Sequence, residues 1–217
     1  MKALLIAGGT IDVQWGGEFI KMHNYDKIIA VDGGLSAANL LGVCPHMVVG
    51  DFDTVSPKLV EMYQKNGCII EKLNPIKDDT DTQYAIKRLI DMGAMEIDIL
   101  GGTGGRMDHT MSNIYMLKMA YDSGVKAVMY DKINKISVIK GKNILKKDDT
   151  YGRYISFIQL EGPVKDVTMA GFVYNVEQFD FDTEKDYRLG VSNEFINDTA
   201  TVDIGSGMFV MLEISGD

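Results

Sequence analysis

The chain has 217 residues, 46% hydrophobic and 24% charged, with a formal net charge of −9; this is ordinary globular composition, enough for one large domain or two small ones. That acidity argues against nucleic acid or an anionic membrane as the main partner and suits small or cationic ligands. Only Cys44 and Cys68 are present, without metal-type spacing, so two plain core thiols in a reducing, cytoplasmic compartment are expected rather than a disulfide framework.

The opening "MKALLIAGGT" has five consecutive apolar residues before Gly8 and Gly9, short of the roughly 7 to 15 of a secretory signal. It reads as a first buried strand. No run approaches the roughly 18 apolar residues of a membrane span, and there is no internal repeat. Up to about residue 130, the strand-like runs "ALLIA", "IIAVD", "MVVGD", "CIIEKL", "EIDILG" and "KAVMYD" alternate with helix-compatible stretches. That alternation predicts a mostly parallel sheet covered by helices. One helix is punctuated by Ser56 as cap, Pro57 as first residue and Gly67 past its end. Another starts near Thr80 or Asp81 and closes by Gly93, and a third sets Met111, Ile114, Leu117 and Tyr121 at helical spacing before Gly124. From residue 131 the runs "ISVIKGKN", "RYISFIQLE", "KDVTMAGF", "TATVDIG" and "MFVMLEI" are strand-like, with turn residues between them. They predict a second, all-β unit. No Pro/Gly/Ser linker separates the halves, so they are expected to pack together.

Polar residues gather where these strands end. Asp32 closes "IIAVD", Asp51 closes "MVVGD", and Gly101 and Gly102 close "EIDILGG"; ligands of open α/β sheets bind at that carboxyl edge. In "GDFDT" the carboxylates of Asp51 and Asp53 stand one residue apart, an arrangement that asks for a cation or a shared proton. "DDTD" adds Asp78, Asp79 and Asp81 at a helix start, where capping explains them as well as metal binding does. Oxygen donors without Cys or His favour magnesium or manganese over zinc. "GGTGGRMDH" joins flexible backbone at Gly104 and Gly105 to Arg106, Asp108 and a helix N-terminus, a set able to cradle phosphate oxygens. Gly33 and Gly34 permit close backbone approach to a ligand and read equally as a structural turn. His23 and His46 read as ordinary loop or core residues. No Walker motif, dinucleotide fingerprint or kinase signature is present.

Taken in order, "DGG" at 32–34, "GDFDT" at 50–54, "DDTDTQYA" at 78–85 and "GGRMDH" at 104–109 resemble the motif series of thiamine pyrophosphokinases. The resemblance implies an α/β nucleotide-binding catalytic domain over residues 1–130, followed by a smaller C-terminal β-sandwich over 131–217 for thiamine binding and dimerisation. It also implies a cytoplasmic homodimer with the active site in a cleft involving both subunits. The implied reaction moves the pyrophosphoryl group of ATP to the hydroxyl of thiamine, with magnesium required and ATP as co-substrate. By matching position, Asp51, Asp53, Asp78 and Asp81 are the expected magnesium and phosphate-handling carboxylates. Asp32, Gly33, Gly34, Gly104, Gly105, Arg106 and Asp108 are the expected nucleotide contacts, and Arg106 offsets charge during transfer. Asp53 or Asp81 is the expected proton acceptor. "GVSNEF" resembles the segment that meets the thiamine pyrimidine, which points to Ser192 and Asn193. Asp79 lies where the family varies. Thr54 stands for the usual Ser, "DGGLS" for the commoner "DGGAN", and Tyr84 for a frequent Lys. Two rivals remain at this stage: a haloacid-dehalogenase-type phosphatase with Asp51 as nucleophile in "DFDTV", and a nucleotide or thiamine sensor without turnover.

Overall fold

The computed structural model describes residues 1–74, 78–185 and 190–216. The chain divides into two compact units, Met1–Lys132 and Ile133–Asp217. The first holds β1 (Lys2–Ile6), α1 (Val13–Met22), β2 (Lys27–Val31), α2 (Gly34–Leu40), β3 (Met47–Gly50), α3 (Pro57–Lys65), β4 (Ile69–Lys72), α4 (Asp81–Asp91), β5 (Glu96–Leu100), α5 (Met107–Asp122) and β6 (Lys126–Tyr130). Its strands form a parallel sheet in the order β6-β5-β1-β2-β3-β4. Ala3, Leu4, Leu5 and Ile6 are all fully buried, because helices cover both faces and a strand so placed needs a continuous apolar run rather than alternation. On one face Leu4, Ile6, Ala30 and Val48 pack with Phe19 of α1, Leu35 and Ala38 of α2 and Tyr63 of α3. The other face receives α4, which packs on β1, β2 and β3 and on α5 through buried Ala85, Ile86 and Leu89.

Local chemistry sets the helix ends. Asp12 caps α1 by accepting from the Trp15 amide at 3.0 Å, and Thr80 caps α4 by accepting from the Gln83 amide at 3.1 Å, each satisfying an amide that the first turn leaves free. Pro57 opens α3, where its missing amide costs nothing. Ser56 holds the cap position there without a side-chain hydrogen bond. Gly67, at φ +88°, follows α3, a turn that a β-carbon would disfavour.

Several sequence expectations are corrected. Cys68 is buried but Cys44 is exposed, since it lies in the connection from α2 to β3 rather than in an element. The buried stripe of α5 is Asn113, Leu117 and Ala120, whereas Met111 and Tyr121 are exposed. Large apolar residues occur around this helix, with Met107 and Tyr115 also exposed, so apolar spacing alone did not locate the inner face. His23 and His46, in contrast, are the ordinary loop residues expected, each engaged by backbone: His23 Nδ1 lies 2.7 Å from the Phe19 carbonyl oxygen and the Ile28 amide donates to His46 Nδ1 at 3.0 Å.

The second unit contains β7 (Asn134–Ile139), β8 (Lys142–Lys146), β9 (Tyr154–Gln159), β10 (Val164–Ala170), β11 (Val176–Phe181), β12 (Gly190–Glu194), β13 (Thr199–Ser206) and β14 (Phe209–Ile214). Two antiparallel sheets, β12-β9-β14-β7 and β11-β10-β13-β8, form a sandwich. Their inward residues, among them Phe157, Phe172, Phe181, Val202 and Phe209, share one core. The run "ISVIKGKN" is not one strand: it supplies the end of β7 and the start of β8, which sit in different sheets, and Gly141 at φ +65° lies between them. β11 and β12 had no apolar signature in the sequence. Each is the outermost strand of its sheet, where solvent takes one side and polar residues are tolerated.

Candidate active site

β1, β2, β3 and β5 end at the same edge of the parallel sheet, so their following loops converge. The chain leaves β1 for β2 on one side and returns with β5 on the other, which makes the gap between β1 and β5 the switch point where such sheets open a crevice. Gly8–Thr10 and Gly101–Gly105 meet there. The Gly9 amide donates to the Gly101 carbonyl at 2.9 Å, and a β-carbon on Gly9 would lie 2.3 Å from the Thr103 carbonyl oxygen. A β-carbon on Gly34 would lie 2.0 Å from the Ile6 carbonyl oxygen. Backbone packs directly on backbone along this seam, which only glycine permits.

Beside the seam stand carboxylates. Asp32 adopts φ +45°, an uncommon conformation for a residue with a side chain. It is held by its amide donating to the Val49 carbonyl at 3.0 Å and its own carbonyl accepting from Leu35. Its carboxylate lies over Gly50, where a β-carbon would be 1.8 Å from Asp32 Oδ1. Burial, then a hydrogen bond and like charge from Asp81, and finally the charge of Asp51 push the Asp32 carboxyl up to about 7. Asp81 is the first residue of α4. The carboxyls of Asp81 and Asp51, carried by two other segments of the chain, thus both act on Asp32, as like charges in a partly buried site do.

Asp51 is half-buried, and its Oδ1 accepts from the Asp53 amide at 3.1 Å, closing the turn that carries both. Asp53 and Asp78 are exposed, and neither is among the groups that perturb Asp32. Asp79 pairs with Lys87 at 2.7 Å, so its charge is already spent. Tyr84 donates to Glu71, and Arg88 lies 3.5 Å from the other oxygen of that carboxylate. Among the described residues, no three His, Cys, Asp or Glu side chains form a group able to hold a metal ion by themselves. The donors nonetheless suit a hard cation, because magnesium commonly takes one or two carboxylates and completes its shell from phosphates and water.

Gly104 and Gly105 are exposed and have φ +79° and +96°. They lead to Arg106, which stands at the N-cap position of α5 without a side-chain capping bond and forks onto Asp108 with Nε donating to Oδ1 at 3.1 Å. Arg106 holds the Asp108 carboxyl below its ordinary value. Both side chains are well exposed, and such a pair is weak enough to open for a stronger anion.

A family profile described as "Thiamin pyrophosphokinase, catalytic domain" matches residues 21–129, half of the chain. The chain belongs to the thiamine pyrophosphokinase family. A second profile, "Thiamin pyrophosphokinase, vitamin B1 binding domain", matches residues 142–209. The chain is 29% identical over 185 residues to the thiamine pyrophosphokinase of Bacillus subtilis, covering 85% of each. Its fold superposes on the crystal structure of that organism's thiamine pyrophosphokinase with a TM-score of 0.85 at 25% identity, covering 100% of both chains. A family protein from Enterococcus faecalis gives 0.82 at 26% identity, again over 100% of both chains. The yeast enzyme, at 18% identity and a TM-score of 0.82, shares the fold, so the two-part architecture persists where sequence has diverged widely.

Within the second unit, the exposed Ser192 sits on β12 at φ +54°, its amide donating to Ser156 Oγ at 3.0 Å. Asn193 is 3% exposed. Its Oδ1 accepts from the Tyr174 amide at 2.9 Å and its Nδ2 donates to the Tyr174 carbonyl at 2.8 Å, so it clasps the neighbouring loop as a backbone would. Sequence reasoning missed three features of this candidate site. They are the Gly8–Thr10 loop, the Thr103–Asp131 hydrogen bond of 2.7 Å and the Asn113–Gly102 bond of 2.9 Å. "AGGT" directly after the first strand was the available signal for the loop. The other two pair residues distant in sequence and left none.

Proposed function

We propose that this chain is an ATP-dependent diphosphotransferase that makes thiamine diphosphate and AMP from thiamine and ATP. What carries the reading is the match of both thiamine pyrophosphokinase profiles, one to each part of the chain, together with the Asp32, Asp51 and Asp81 carboxylates beside the sheet's switch point. The thiamine hydroxyl oxygen forms a bond to the β-phosphorus of ATP. The bond from that phosphorus to the α,β-bridging oxygen breaks, and AMP leaves with the oxygen and the electron pair. The hydroxyl proton passes to a carboxylate, Asp53 or Asp81. Phosphoryl transfers of this kind depend on positioning and on offsetting charge more than on covalent chemistry. Asp32, Gly33, Gly34, Gly104, Gly105 and Asp108 bind and orient the nucleotide, Arg106 meets the polyphosphate once released from Asp108, and Ser192 and Asn193 serve the thiamine side. Asp51 and Asp81, with Asp53 and Asp78, would hold magnesium, which when bound neutralises polyphosphate charge. An acidic chain also favours the approach of cationic thiamine.

A cytoplasmic homodimer is part of the same reading. Cys44 and Cys68 are free thiols, which suits a reducing compartment, and among the described residues no helix is long and apolar enough to cross a membrane. Val173, Tyr174, Val191 and Ile196 in the second unit, and Met107, Met111 and Tyr115 along α5, are exposed, and association with a second copy would cover them. Nothing observed favours the phosphatase or sensor alternatives. Incubating the protein with thiamine, ATP and magnesium and separating the nucleotides tests the reading. AMP in step with thiamine diphosphate is expected; ADP, free phosphate or no turnover would overturn it.

A further inference from the structure

Asn113 lies in the interior of α5 and is 6% exposed. Its inward neighbours are Leu117 and Ala120, and for packing alone a leucine or alanine would suit this position better than an amide. Its Nδ2 donates to the Gly102 carbonyl at 2.9 Å, eleven residues earlier, so the helix reaches back to grip the loop that precedes it. That loop is fixed on its other sides as well. A β-carbon on Gly101 would lie 2.4 Å from the Ala7 carbonyl oxygen, and one on Gly102 would lie 2.2 Å from Met129 Sδ. Thr103 Oγ1 donates to Asp131 at 2.7 Å. Beyond Thr103 the loop comes to the surface: Gly104, Gly105 and Arg106 are exposed, with Gly104 still lying against Gly9 and Thr10 and no atom within 4 Å of where a β-carbon on Gly105 would stand.

We infer that Asn113 is a positioning residue for the nucleotide, its amide and the Thr103–Asp131 bond together holding the root of the Gly101–Gly105 loop. The tip can then meet the polyphosphate in one place. This rests on the diphosphotransferase reading above. A glycine-rich loop loses more conformational freedom on binding than any other backbone, and a tether that restricts it in advance removes that cost from nucleotide affinity. Such an effect applies equally before and during transfer, so it is felt in KM for ATP rather than in kcat.

The test compares Asn113→Leu, which keeps the volume and removes the donor, and Thr103→Val on the half-buried loop, with the wild-type chain. Three quantities are read: KM for each substrate with kcat, the Kd of a non-hydrolysable ATP analogue by calorimetry, and amide hydrogen exchange across residues 101–105. The expected result is a rise of about tenfold in KM for ATP and in the analogue's Kd, faster exchange in the loop, and kcat and the thiamine KM within about twofold. A lowered melting temperature with ATP KM and analogue Kd unchanged would overturn the inference and leave Asn113 a packing residue. Should Asn113→Leu fail to fold, Thr103→Val decides by the same two constants. A wild-type chain that binds the analogue but releases no AMP defeats the enzymatic reading, and the Kd comparison still decides the role of Asn113. A wild-type chain that does not bind the analogue overturns both.

Discussion

At the residue scale the carboxylates behave as a group. Asp32 is raised to about 7 by burial and by Asp81 and Asp51, so in the native ligand-free protein it keeps its proton well above the range where an unfolded aspartate loses it. The stability this contributes is complete below the unfolded value near 4 and is lost as pH rises through about 7. Asp32→Asn removes that loss. With chelator present, its melting temperature relative to wild type should therefore climb between pH 5 and pH 8, and a pH-independent difference would assign the shift elsewhere. Asp51→Asn keeps the turn-closing oxygen that accepts from Asp53 but removes a charge. Steady-state assays should show kcat lowered by roughly 10² or more, with a higher magnesium requirement, and unchanged metal dependence would count against a role for Asp51 in holding the ion. Asn193, which the resemblance places on the thiamine side, has both ends of its amide bound to the Tyr174 backbone, so it would serve that side by shaping the loop; no local spacing announces such a long-range pairing.

Elements were legible where local rules act alone. The six strands of the parallel sheet stand where apolar runs placed them: burial on both faces demands near-continuous apolar sequence of a central strand such as β1, while β4 at the edge is only partly buried and needs just its two isoleucines. The start of α4 at Asp81 followed from Thr80, whose hydroxyl accepts from Gln83. Thr80→Ala should cost about 1 kcal/mol, read as a fall of about 2–4 °C in the melting transition. Activity should fall with it if the cap also orients Asp81. On α5 Leu117 is buried where helical spacing put it, but Met111 and Tyr121 lie outside, because Met107, Met111, Tyr115 and Tyr121 all place apolar bulk on the surface while a polar Asn113 is buried. β11 and β12 escaped notice because edge strands need only half a pattern.

For the whole molecule, exposed apolar groups point to association. Tyr174 is 67% exposed and Ile196 59%, and they belong to neighbouring segments, since the Val173 amide bonds to the Glu194 carbonyl and the Ile196 amide to the Gly171 carbonyl. If the proposed dimer forms through them, replacing both by charged residues, as Tyr174→Asp with Ile196→Lys, should raise its dissociation constant at least tenfold in sedimentation, by the cost of burying unpaired charge; a wild-type chain that sediments as a monomer would overturn the dimer. Sedimentation identical to wild type would place the contact elsewhere.

By itself the sequence determined the α/β-then-β order, the parallel sheet, the family and the acidic and glycine-rich segments of the candidate site. These depend on periodicity, capping and short motifs, which are local. Tertiary structure alone decided which loops meet at the switch point, that Asp81 acts on Asp32, that Arg106 rests on Asp108 and that Asn113 grips Gly102. Those facts depend on distances between residues far apart in the chain, and only the completed packing sets such distances.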